Sequence, residues 1–228
     1  MTNKIILLAV FVGVFILMSF LRDTRSKKKK VIFFGDSITQ VAVEPGGYIT
    51  AMKDNLQKEG ITDYELIGAG ISGNKIYDLY LRMREDVIAQ SPDIVVIYEG
   101  VNDVWHKTLL GTGTDADKYE KFYRAVIKEL LAGNIKIMLC TPAAIGEKKD
   151  CTNPQDGDLN KYCNIIKAIA ADFNLPVCDL RTIFLNYEQE HNPQNLDKGI
   201  LTVDGVHPDE TGNRLVAQEM WKVIKEIK

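Results

Sequence analysis

The chain has 228 residues, 46% of them hydrophobic and 26% charged, a balance that excludes a disordered, collagen-like or multi-domain protein and suits one domain of catalytic size. Its formal charge of -3 is unevenly spread: residues 1–30 hold seven of the 28 basic residues (Lys4, Arg22, Arg25, Lys27 to Lys30) against Asp23 alone, leaving residues 31–228 with 21 basic and 30 acidic side chains, a net of -9. An acidic body repels phosphate and the basic run is confined to the leader, so nucleic acid is excluded as a partner.

The leader comes first. Residues 5–21 read IILLAVFVGVFILMSFL, seventeen residues without a charge, which at about 1.5 Å per residue would make roughly 25 Å of helix. A removed signal peptide would have a shorter apolar core followed by a small-x-small site, and Ser19-Phe20-Leu21-Arg22 offers none, so an uncleaved membrane anchor is the expectation for residues 1–30. A buried core helix fits poorly because no polar residues mark a solvent face. The basic flank RDTRSKKKK outweighs Lys4 and would stay cytoplasmic under the positive-inside rule, whereas the leader itself favours export.

Beyond the leader, short apolar runs alternate with segments of helical period, the pattern of a parallel sheet covered by helices. Strands are expected at 31–34, 64–67, 94–98, 135–139 and 176–178. Ile76, Leu79, Tyr80, Met83, Val87 and Ile88 form one apolar helix face, with similar stripes over 119–131 and 159–171. Asp209 and Glu210 open a last helix whose Trp221, Ile224 and Ile227 would pack on the sheet. Residues 146–158 and 186–199 read as polar loops that could rim a site. The four cysteines, Cys140, Cys151, Cys163 and Cys178, lack any CxxC spacing and are too scattered for a disulfide scaffold; Cys140 and Cys178 end apolar runs and belong in the core.

In an open α/β sheet the ligand crevice lies at the carboxyl ends of the strands, so the residues that follow strands matter most. The first strand runs into Gly35-Asp36-Ser37-Ile38-Thr39, which alone reads better as a helix N-cap than as a nucleophile. The second runs into Gly68-Ala69-Gly70-Ile71-Ser72-Gly73, a GxGxxG match that admits a dinucleotide-binding oxidoreductase, with Glu99 at the end of the next strand as a ribose ligand. The third runs into Gly100-Val101-Asn102-Asp103. An amide there can donate to a developing oxyanion without titrating. Before the final helix stands Asp204-Gly205-Val206-His207-Pro208, in which a carboxylate three residues ahead of an imidazole can reach Nδ1 and leave Nε2 free as a base. Three histidines in the whole chain make a His-rich metal site an unfavoured reading, and no cofactor is expected.

Taken together and in this order, GDSIT at 35–39, the Gly73 loop, GVND at 100–103 and DGVHP at 204–208 resemble the SGNH/GDSL hydrolase family across nearly the whole of 31–228. The departure is Ile38 where the family name has leucine. The resemblance implies a three-layer α/β/α, flavodoxin-like domain with a five-stranded parallel sheet, here preceded by an N-terminal hydrophobic helix. It implies Ser37 as nucleophile, Asp204 and His207 as its triad partners, and the Ser37 and Gly73 amides with Asn102 as oxyanion donors. Asp36 and Asp103 are expected to hold their loops. Trp105, His106 and residues 111–114 follow Asn102 and are candidates for the pocket rim. The expected reaction is serine-dependent hydrolysis of a small carboxylic ester, with acetylated carbohydrates or other short-chain esters favoured by the limited room for a lid in 198 residues. The leader favours lysophospholipids instead and, with the enzyme class, an exported or periplasmic body. A catalytically inactive, membrane-anchored binding module is the non-enzyme alternative.

Overall fold

The computed structural model describes residues 27–150 and 152–228. The hydrophobic helix expected at 5–21 lies outside them; among the described residues no helix is long and apolar enough to cross a membrane. Five strands form one parallel sheet: β1 (Lys29–Gly35), β2 (Tyr64–Gly70), β3 (Ile94–Tyr98), β4 (Lys136–Cys140) and β5 (Val177–Cys178). Their order is β2-β1-β3-β4-β5. The central strands are continuous runs of β-branched and aromatic residues because both faces are covered; all five residues of β3 are buried.

The helices are α1 (Ser37–Val41), α2 (Tyr48–Lys58), α3 (Ile76–Asp86), α4 (Val101–Leu109), α5 (Ala116–Ala132), α6 (Asp156–Phe173), α7 (Leu180–His191) and α8 (Glu210–Ile224). Helix α2 packs against α8, while α3 packs on α5 and α5 on α6, giving a three-layer α/β arrangement. The apolar stripes expected along α3, α5 and α6 are the buried faces: Ile76, Leu79 and Met83; Val126, Ile127 and Leu130; Leu159, Cys163, Ile166 and Ile169. Cys140, Cys163 and Cys178 are buried free thiols.

Two expectations are corrected. The polar loop expected at 186–199 begins as the last half of α7, a helix capped by Asp179, whose carboxylate accepts from the Thr182 amide at 3.3 Å. The glycine pair of the GxGxxG match belongs to β2 itself. A Cβ on Gly70 would strike the backbone of Thr39 and Gln40, and one on Gly68 would come within 2.6 Å of Val43 Cγ1. These glycines let α1 lie against the edge strand. They form no phosphate cradle, and the dinucleotide reading loses its structural basis.

The register aligns the carboxyl ends of the strands. Gly70, Gly35, Tyr98, Cys140 and Cys178 stand in one row across the sheet. The chain order reverses between β1 and β3, and the residues that follow these two strands, Ser37 and Asn102, therefore meet at the switch point of the sheet.

Candidate active site

Ser37 is the first residue of α1, two residues beyond the end of β1, with Asp36 as N-cap accepting from the Ile38 amide at 2.9 Å. This fixes the Ser37 side chain at the sheet edge, where Oγ lies 2.9 Å from His207 Nε2. On the other side of the ring, His207 Nδ1 is 2.8 Å from Asp204 Oδ2. The second Asp204 oxygen accepts from the amides of Val206 at 2.9 Å and His207 at 2.8 Å. Partial burial pushes the Asp204 carboxyl up, but the His207 amide, the His207 ring and the Val206 amide outweigh it and hold the group below its usual range. An ionised Asp204 fixes the Nδ1–H tautomer and leaves Nε2 as acceptor for the Ser37 proton.

The turn that carries Asp204 and His207 is tied down from several sides. An antiparallel bridge joins Thr202 to Pro208, Val203 donates to His207 O at 2.9 Å, and Gly205 donates to Thr202 Oγ1 at 2.9 Å. Buried Glu147 accepts from the amides of Ile200 and Leu201, both at 2.8 Å, and the Gly146 amide donates to Gly205 O at 2.8 Å. The polar segment expected as a rim loop thus acts as a brace beneath the histidine turn.

Glu188 of α7 is fully buried, among the described residues neither carboxyl oxygen has a partner, and burial, helped by Glu147, pushes its pKa from 4.5 up to about 8. The folded chain keeps this proton between pH 4.5 and about 8, whereas the unfolded chain releases it. The contribution of Glu188 to stability is therefore full below pH 4.5 and is lost as pH rises to about 8. Glu188→Gln removes this dependence. Melting curves from pH 5 to 8 should show the variant gaining on the wild type by on the order of a few kcal/mol; parallel curves would refute the protonated state.

Asn74, the residue after Gly73, brings the Gly73 loop against Asn102. Gly73 has φ +77°, a conformation that favours glycine, and among the described residues neither its amide nor that of Ser37 donates to a protein acceptor. Asn102, near the start of α4, is 2% exposed; its Nδ2 donates to Asn74 O at 3.0 Å and, at the 3.4 Å limit, to Asp36 Oδ2. The weak second contact leaves one amide proton available to an oxyanion. Burial pushes Asp36 and Asp103 each up to about 7 and Glu99 well above the carboxylate range. At neutral pH Glu99 is therefore protonated and Asp36 and Asp103 are only partly ionised, which limits the negative charge around Asn102. Asp103 faces the Ile76 amide at 3.3 Å, so Asp36 and Asp103 both hold backbone amides, as expected of them.

Trp105 is half-buried and meets the His207 ring edge-on, centroids 6.0 Å apart. His106 is placed differently from the expectation. It is 8% exposed with Nδ1 enclosed and unpartnered, and burial together with the Lys75 charge lowers its pKa, so it is a neutral buried ring and no rim residue. Thr114 is likewise buried, its amide donating to Asp103 O at 3.0 Å. Asn74, Arg82 and Glu147 were not singled out by motif, because a polar residue on an amphipathic helix or in a loop reads as solvent-facing.

The family model described as the GDSL-like Lipase/Acylhydrolase family matches residues 33–215, and the chain belongs to that family. It is a carboxylic ester hydrolase of the SGNH/GDSL type, and the inactive-module and oxidoreductase readings give way to that. The chain is 31% identical over 216 residues to an acetylxylan esterase of Geobacillus stearothermophilus, spanning 86% of this chain and 94% of the relative. A solved acetyl xylan esterase, AlAXEase, is 63% identical and superposes with a TM-score of 0.84, covering 85% of this chain and 98% of its own. A catalytic mutant of the Geobacillus stearothermophilus acetylxylan esterase Axe2, with a serine replaced by alanine, is 28% identical with a TM-score of 0.75, covering 88% of this chain and 95% of its own.

Proposed function

We propose that the protein removes acetyl groups from acetylated carbohydrates, xylan-type oligosaccharides first among them, through an acyl-enzyme on Ser37. The observation that carries the reading is the unbroken relay from Asp204 through His207 to Ser37 Oγ, with contacts of 2.8 and 2.9 Å, in a chain similar to acetylxylan esterases.

His207 Nε2 takes the Ser37 proton as Oγ attacks the ester carbonyl, and Asp204 stabilises the imidazolium that forms. The carbonyl oxygen gathers negative charge and is met by the Ser37 and Gly73 amides and the Asn102 Nδ2 proton. The imidazolium then gives its proton to the sugar oxygen, which leaves as the alcohol. Water, deprotonated by the same Nε2, attacks the acetyl-Ser37 carbonyl, the bond to Oγ breaks, and the imidazolium returns its proton to Ser37 Oγ as acetate leaves. Short acyl groups are favoured because only Asp36 lies between β1 and α1, and only Glu99 and Gly100 between β3 and α4. Turns this short leave no insertion at those edges to wall a tunnel for a long chain. Trp105, flanking His207, offers an aromatic edge to a sugar ring.

Acetate release from acetylated xylooligosaccharides and hydrolysis of p-nitrophenyl esters from acetate to palmitate test this reading. Activity should be highest on acetate and fall steeply beyond butyrate, with acetylated oligosaccharide deacetylated efficiently. Preference for octanoate or longer would replace the carbohydrate reading with the lysophospholipid one.

A further inference from the structure

We propose that Arg82 is a positioning residue for the ester hydrolysis, clamping the segments that supply Ser37, Gly73 and Asn102 in one register. The proposal rests on the serine-esterase reading and deepens it.

Arg82 lies on α3, outside the reacting atoms, with its side chain 14% exposed. Its Nε donates to Asn74 Oδ1 at 2.7 Å, and Nη2 donates to Gly35 O at 2.8 Å and Ala69 O at 2.9 Å. Nη1 pairs with Asp86 at 2.7 Å, and the guanidinium carbon sits 4.5 Å from the centroid of the Phe34 ring. One planar group therefore ties the carboxyl end of β1, the carboxyl end of β2 and the loop beyond it.

Each contact leads to a group of the site. Gly35 is two residues before Ser37, and its carbonyl also accepts from Ile71 at the start of the Gly73 loop, at 3.2 Å. Asn74 follows Gly73, and its carbonyl is the acceptor that orients Asn102 Nδ2 at 3.0 Å. Arg82 holds the side chain of the residue whose backbone holds Asn102. Oxyanion donors act only when aimed at the position the charge will occupy, and a misplacement of about 1 Å can cost about 100-fold. An ammonium cannot substitute for the guanidinium here, because lysine has no planar fork to reach three acceptors in fixed directions.

The test uses the full chain with p-nitrophenyl acetate, comparing Arg82→Lys, Arg82→Met and Asn74→Ala, with kcat normalised to sites titrated by a fluorophosphonate. We expect kcat to fall about 10- to 100-fold in both Arg82 variants with KM changed less than about threefold, and Asn74→Ala to reproduce most of the loss. In an Asn102→Ala background Arg82→Met should cost clearly less than in the wild type, since the clamp then aims only the Ser37 and Gly73 amides. An unchanged kcat per titrated site, a loss confined to KM, or a loss fully additive with Asn102→Ala would overturn the proposal. If Arg82→Met does not fold, Arg82→Lys and Asn74→Ala give the same decision. A wild type without esterase activity would instead refute the function itself.

Discussion

Replacing Ser37 with alanine is expected to lower kcat for acetate esters by on the order of 10⁵- to 10⁶-fold, the largest effect of any single substitution in this chain. Among the described residues the Ser37 hydroxyl makes one hydrogen bond, to His207 Nε2 at 2.9 Å, so its removal should leave the fold intact and the melting temperature close to that of the wild type. The backbone amide of residue 37 is kept, and if it serves with Gly73 and Asn102 as proposed, weak residual catalysis should come from these donors. His207→Ala should cost a comparable factor, and the double variant should be no worse than either single one, because the proton has nowhere to go once one partner is missing. Initial rates over a substrate range, with circular dichroism to confirm folding, check this; two losses that multiply would mean that serine and histidine act independently.

Asn102→Ala is expected to lower kcat by about 100- to 1000-fold, the usual consequence of losing one oxyanion donor. KM should change little, because the carbonyl gains its charge only in the transition state. The substitution also has a structural cost. Asn102 is 2% exposed and its amide donates to the part-buried Asn74 O, so alanine removes that hydrogen bond, at about 1 kcal/mol. The rate must therefore be read below the variant's melting transition. A kcat within about threefold of wild type in a folded Asn102→Ala would remove this amide from the oxyanion site.

The parts of the fold that can be read in the sequence are those with unmixed patterns. Strand β3, IVVIY, is apolar throughout because both its faces are buried, and the stripe on α5 repeats at three and four residues because one face is. The observed β1 and β2 run beyond the expected 31–34 and 64–67, to Gly35 and Gly70, because sheet pairing continues through glycines that carry no apolar signal. Helix α7 escaped notice for a related reason: it buries Arg181 and Glu188 alongside Leu180 and Phe184, so its inward face contains charges.

At the site, the four motifs located Ser37, Gly73, Asn102, Asp204 and His207, and the structure brings Asp204, His207 and Ser37 into contact. What no motif revealed is the bracing around them. Arg82, Asn74 and Glu147 act through backbone carbonyls and amides, whose partners depend on how segments far apart in sequence meet. His106, beside a strand-end motif, invites a functional reading, yet the α4 helix turns it inward to 8% exposure.

The central claim is that Ser37 is the nucleophile, and covalent labelling with a fluorophosphonate, followed by intact-mass measurement and peptide mapping, tests it most directly. One phosphonyl group per chain is expected, carried on Ser37, formed in step with the loss of esterase activity and absent from Ser37→Ala. Activity that survives complete labelling, or a label that inactivates the enzyme from any other residue, would contradict it.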